Sequence, residues 1–224
     1  MRLILKCPLE IGISALIAKN KVCGVLLAGG HSRRMNGHDK AFMVLAGVPL
    51  LKRILAIVQP QLKALCLSTN HRNEKYCSFG IPIVQDESKD HVGPLGGIIA
   101  GMEWVRKFHP ETEWIASFPC DTPFLPSDFV TQLYWQVQNK DVDIVYSHSG
   151  KRVHYICSLW RVRLHKFLHR AVLEEGVSEV NVLISRCKSM GVEWPTEPND
   201  PFFNINNPED FEMAEKQVLN YDQG

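Results

Sequence analysis

The chain has 224 residues, enough for one domain with a sizeable core and short of two full ones. Basic and acidic side chains nearly balance, 25 against 24, so there is no electrostatic footprint for nucleic acid or for a membrane surface. Seven cysteines without a Cys-x-x-Cys pair fit neither a disulfide framework nor a zinc site, and suit a reducing cytoplasm.

Residues 1–20 carry Arg2 and Lys6, then an apolar stretch over 11–18 that follows Pro8 and Glu10 and ends at Lys19. The stretch is too short to span a bilayer and has no small-residue cleavage site after it. It is expected to be an N-terminal extension without assigned role, ahead of a single domain over 21–224.

Residues 22–41 read VCGVLLAGGHSRRMNGHDKA. The apolar run 22–27 predicts a buried strand. It breaks at Ala28, Gly29 and Gly30 into a loop holding Arg33, Arg34, Asp39 and Lys40. Glycines let backbone N–H groups approach phosphate oxygens, and cations neutralise the charge that builds up in phosphoryl transfer. The stretch is neither a Gly-x-x-x-x-Gly-Lys-Ser/Thr loop nor a Gly-x-Gly-x-x-Gly fingerprint. A solvated basic turn is the plain alternative; the position at the end of a buried strand, where open α/β sheets bind ligands, favours the phosphate reading.

Further along, 42–45 suggests a short extended piece and 46–47 a turn. Pro49 opens a helix to Val58, with Leu50, Leu51, Ile54, Leu55 and Val58 on one face. Residues 64–68 read as a strand leading to Asn70, 74–79 as a helix, and 81–84 as a short strand leading to Asp86. Gly93 and Pro94 turn the chain into a helix from about Leu95, whose Gly96, Gly97, Ala100 and Gly101 permit close packing against a sheet or a nucleotide. For Ala100 and Gly101, helix–sheet packing is the preferred reading. Residues 113–119 form another buried strand, ending in Cys120, Asp121, Thr122 and Pro123. Asp121 is either a turn residue or a ligand for a divalent cation, and on its own the two readings are even. With the cationic loop in view, the metal reading wins. Cys120 has no histidine arranged with it and is read as inert.

The rest of the chain predicts a helix over 127–138, strands over 143–147 and 153–160, and a solvated hairpin tip at Lys151 and Arg152. Two helices over 164–174 and 179–186 and an edge strand over 190–194 follow. Asn207 and Pro208 read as N-cap and first residue of a last helix. Strands alternating with helices imply an α/β protein, a three-layer α/β/α arrangement around a mostly parallel sheet. The candidate residues then fall at successive strand ends: the loop to Lys40, Asn70, Asp86, Asp121 and Asn206.

LAGGHSRRMNGHDKA resembles the LAGGxSxRMGGxDK signature of the molybdenum cofactor guanylyltransferases, with Asn36 replacing a glycine. FPCDTP, GPLGG and the segment from Asn206 to Asp210 resemble the PCDTP, GPLxG and NTPEE elements of that family. The resemblance runs in order over about residues 22–218. It implies a nucleotide-diphospho-sugar-transferase-like fold and transfer of GMP from GTP to the terminal phosphate of molybdenum-bound molybdopterin. In that scheme Leu27, Ala28, Gly29, Gly30, Asn70 and Asp86 bind the nucleotide, Asp86 helping to read guanine. Arg34 and Lys40 stabilise charge on the phosphates, while Asp121, helped by Asn206, holds Mg2+. Other molybdenum cofactor biosynthesis or acceptor proteins are the implied protein partners, and the cytoplasm the implied compartment. Two departures stand out. His154-Tyr155 occupies the place of a His-Pro or Glu-Pro pair near the pterin, and Ser68-Thr69-Asn70-His71 that of an Asn-x-Asn-Arg loop near the base. A relative using CTP or another phosphorylated acceptor, and a nucleotide-binding scaffold without turnover, are the rival readings. Gly30 and Asp39 favour the guanylyl branch, and the retained Lys40 and Asp121 count against the scaffold.

Overall fold

The computed structural model describes residues 8–28, 39–70, 74–86 and 93–221. Its centre is a seven-stranded sheet in the order β5-β4-β1-β6-β8-β7-β9. These strands are β1 (Val22–Leu27), β4 (Leu65–Ser68), β5 (Ile83–Val84), β6 (Trp114–Pro119), β7 (Ile144–Ser149), β8 (Arg152–Arg161) and β9 (Ser189–Trp194). Two further short strands, β2 (Val44–Leu45) and β3 (Val48–Pro49), make a separate hairpin. Within the large sheet β8 alone runs against the others, pairing antiparallel with both β6 and β7. The sheet is therefore mostly parallel, as the alternation of elements implies.

β1 shows why the layers form. All six of its residues are buried, and its five side chains alternate between two cores. Val22 and Leu26 join the apolar cluster on one face, while Cys23, Val25 and Leu27 join the cluster on the other. The first face is covered by α1 (Pro8–Lys21), α2 (Leu50–Val58) and α4 (Phe129–Gln136), the second by α3 (Pro94–Phe108), α5 (His165–His169) and α6 (Val180–Ser185). α2 buries the five residues its periodicity singles out: Leu50, Leu51, Ile54, Leu55 and Val58. α7 (Pro208–Tyr221) closes a smaller cluster, with Ala214 and Val218 packed near Leu45, Leu50 and Ile205.

Some elements depart from the sequence reading. Residues 74–79 form a 3-10 helix, and the helix expected over 164–174 changes from α to π at Arg170. The N-terminal stretch holds α1, which runs straight into β1, buries Ala18 and packs on α4. Among the described residues no helix is long and apolar enough to cross a membrane.

Candidate active site

The carboxyl ends of β1, β4 and β6 lie side by side, and the candidate residues meet there. At the end of β1 the Ala28 N–H donates to Ser68 O at 2.9 Å. The Cys120 N–H donates to Leu27 O at 3.2 Å, and the Thr69 hydroxyl donates to Ala28 O at 3.4 Å. Leu27 and Ala28 thus spend these backbone groups on the sheet and fix the point where the chain leaves it. Gly29, Gly30 and Arg34 lie outside the described residues.

The chain is described again from Asp39. One carboxylate oxygen of Asp39 accepts the Ala41 N–H at 3.2 Å, capping the 3-10 turn Lys40–Phe42, and the other accepts the Tyr76 hydroxyl at 2.7 Å. Tyr76 is fully buried, and burial together with the adjacent carboxylate pushes its hydroxyl pKa up, so it stays a donor. Asp39 is therefore an anchor, and what it anchors is Lys40. The Lys40 ammonium reaches Asp121 Oδ2 at 3.3 Å and Asn206 Oδ1 at 3.1 Å. Three of the residues singled out from sequence thus come together in one cluster.

Local bonds explain how Asp121 and Asn206 meet. The Thr122 hydroxyl donates to Asn204 Oδ1 at 2.7 Å, and the Ile205 N–H donates to Asp121 O at 3.0 Å, which ties the turn after β6 to the segment before α7. Asn207 accepts the Asp210 N–H at 2.8 Å, as an N-cap should, and Asp210 in return accepts the Asn206 N–H at 2.8 Å. The cap holds Asn206 at the mouth of the helix.

Asn70 and Asp86 meet one strand further out, where Asn70 Oδ1 accepts the Asp86 N–H at 3.0 Å. The Asp86 carboxylate lies against the first turn of α3. A Cβ added to Gly96 would stand 2.0 Å from Asp86 Oδ2, so only glycine leaves room for the acid there. Gly93, at φ +64°, turns the chain into the helix as only glycine does readily. Gly97 and Gly101 have a different purpose. A Cβ on Gly97 would meet Leu27 and Ser68 at 2.7 Å, and one on Gly101 would meet Val25 at 2.7 Å, so both let α3 lie close on the sheet.

On the other side of Asp121 a cleft of about 460 Å3 opens, lined by Pro94, Pro119, His154, Tyr155, Asn181 and Asn204 among others. Its wall is a bulge. Tyr146 pairs with Ser158, but the next residue, Ser147, pairs with His154, so residues 155–157 of β8 have no counterpart on β7. The carbonyls freed by the bulge are caught by hydroxyls: Ser158 donates to Tyr155 O at 2.7 Å and Ser117 donates to Ile156 O. Ser117 in turn accepts the Trp160 indole N–H at 2.9 Å. The sequence reading missed these serines. Their signal was faint: polar residues at inward positions of apolar strands. Lys151 sits exposed at the hairpin tip, as expected; Arg152 is exposed too but also lines the cleft, which the reading of a purely solvated tip did not foresee. Burial pushes the Cys120 thiol up, which keeps it protonated and inert, and the six cysteines described are all free.

The donor set suits a hard divalent cation. Asp121 and Asn206 offer a carboxylate and an amide oxygen close to one lysine, and among the described residues no group of three His, Cys, Asp or Glu side chains forms a cage. Mg2+ is commonly held in that way, by one or two protein oxygens with phosphates and waters completing its shell. Hard-oxygen donors and a lysine brought together beyond the parallel strand ends, glycines around a helix start and a cleft alongside are what a nucleotide needs from an open α/β sheet. The model of the MobA-like NTP transferase domain matches residues 24–187. The chain is 40% identical over 195 residues to a molybdenum cofactor guanylyltransferase of Rhodopseudomonas palustris, covering 87% of this chain and 93% of that protein. It is 38% identical to another so named from a Bradyrhizobium strain, covering 87% and 92%. In structure it is similar to molybdopterin-guanine dinucleotide biosynthesis protein A of Archaeoglobus fulgidus, with TM-score 0.68 and 23% identity, over 88% of this chain and 99% of that one. The chain belongs to the MobA-like NTP transferase family, alongside the molybdenum cofactor guanylyltransferases.

Proposed function

We propose that this chain transfers the GMP unit of GTP to the terminal phosphate of molybdenum-bound molybdopterin in the cytoplasm and releases pyrophosphate. An oxygen of the acceptor phosphate attacks the α-phosphorus, and the bond between the α-phosphorus and the bridging oxygen breaks. No side-chain nucleophile is needed, so the work is positioning and charge neutralisation. The observation that carries the reading is the Lys40 ammonium beside Asp121 and Asn206, set between the Asn70–Asp86 pair on one side and the cleft on the other.

Each residue has a share in this scheme. Lys40, with Arg34 from the preceding loop, neutralises charge on the α-phosphate and the departing pyrophosphate. Leu27, Ala28, Gly29 and Gly30 border the nucleotide where β1 ends. The Asp86 carboxylate, oriented through its own N–H by Asn70, suits the adjacent N1–H and amino donors of guanine. Asp121 and Asn206 would hold Mg2+, which would draw negative charge off the phosphates.

Titration calorimetry with GTP, CTP, ATP and UTP, each with Mg2+, on the wild type and on Asp121→Ala tests the reading. Selective GTP binding that loses its Mg2+ dependence in the variant supports it, and pyrophosphate release on adding molybdopterin completes it. Preference for CTP overturns the product, and no nucleotide binding overturns the activity.

A further inference from the structure

His154 lines the cleft, and two residues from elsewhere in the chain reach it in series. Its Nε2 lies 2.7 Å from the Ser149 hydroxyl oxygen, and that oxygen lies 3.1 Å from Asp200 Oδ1. Asp200 Oδ1 also accepts the Phe202 N–H at 2.9 Å, while the Phe202 ring stacks on the imidazole with centroids 4.5 Å apart. Ser149 is almost fully buried, so the exchange is shielded from water.

The bonds have one consistent direction. An ionised carboxylate only accepts, and the serine has a single hydrogen. That hydrogen goes to Asp200, so the serine oxygen accepts from His154, and the imidazole proton sits on Nε2. Nδ1 is left as a lone-pair acceptor. It has no hydrogen-bond partner among the described residues, and the half-buried His154 lines the cleft. Burial holds the imidazole pKa below its ordinary value, which keeps the ring neutral.

We propose that Asp200 and Ser149 are positioning residues that lock His154 in the Nε2–H tautomer, so that its Nδ1 accepts a hydrogen bond from an N–H donor on the second substrate. A heterocycle edged with amide and amino N–H groups, such as a pterin, is the chemical class that fits. The substrate assignment rests on the transferase reading above; the tautomer does not. His154 thus selects among acceptors, whereas Asp86 selects among nucleotides.

The test has two arms. Long-range proton–nitrogen NMR of histidine-labelled, substrate-free protein should show the His154 proton on Nε2 in the wild type, and that preference weakened in Ser149→Ala. In guanylyl transfer, Ser149→Ala should raise KM for molybdopterin about tenfold, leaving KM for GTP and kcat at saturating acceptor within about twofold. In a His154→Ala background the same serine substitution should have no further effect, because Ser149 acts through the ring. A wild-type proton on Nδ1, an unchanged acceptor KM in Ser149→Ala, or additive effects in the double variant would each overturn the proposal. A wild type that transfers nothing to molybdopterin overturns the functional reading instead, and the NMR arm then decides the positioning by itself.

Discussion

The two halves of the sheet edge on either side of Asp121 are built by different means. The half formed by β4, β1 and the start of α3 uses parallel strands and glycines: side chains of the sheet pack directly onto the helix backbone, and Gly96 makes room for a carboxylate. The half formed by β7 and β8 uses an antiparallel hairpin with a three-residue bulge, whose loose carbonyls are satisfied by serines. Tight glycine turns suit a phosphate-bearing ligand that must come close to backbone. A bulge re-aims side chains, which suits recognition of a ring by its edge. Asp121 and Lys40 sit where the two constructions meet.

That contrast can be broken first at its centre. Asp121→Ala should lower turnover about a thousandfold and Lys40→Ala at least a hundredfold, since each removes charge complementary to the reacting phosphates. Pyrophosphate release measures both, and near wild-type rates in either variant would remove the cluster from the chemistry. Phe202→Ala probes the bulged half. Its fully buried ring meets His154, Phe129 and Trp194, so truncation should cost about 3–5 kcal/mol in urea unfolding. A loss under about 1 kcal/mol would mean the site closes over the gap.

A pair of glycine substitutions sharpens the other half. Gly101→Ala drives a Cβ into Val25 and Ile115, and should cost about 1–3 kcal/mol of stability with GTP affinity unchanged. Gly96→Ala displaces the Asp86 carboxylate, and should weaken GTP binding about tenfold with a smaller loss of stability. Calorimetry and thermal melts separate the two, and identical behaviour would show that Gly96 is packing alone.

The smallest effect concerns pH. Burial holds both His154 and His165 below the ordinary imidazole value of 6.5. Between the folded values and 6.5 the unfolded chain binds more protons, so stability is full above that range and falls as pH drops through it. Urea midpoints at about pH 8 and about pH 5 should differ less in a His154→Gln, His165→Gln double variant than in the wild type. An equal difference would show that other groups carry it.

Much of this arrangement is legible along the chain, because periodicity and turn chemistry act over a few residues. The apolar run of β1, the buried face of α2, the Gly93-Pro94 entry to α3 and the Asn207 cap follow from their own neighbours, Lys40 stands out in the glycine- and arginine-bearing loop after β1, and Asp121 as a charge just past a buried strand. Other features depend on residues far apart in sequence. Lys40 meets Asp121 across 81 residues and Asn206 across 166, and a linear pattern carries no record of which strand ends become neighbours. The reason for Gly96 appears only when Asp86 is seen against it, and Ser149 acquires a role only between His154 and Asp200. Local sequence set the elements and marked the charges; packing of the sheet chose their partners, because side-chain hydrogen bonds need contact that only the folded chain supplies.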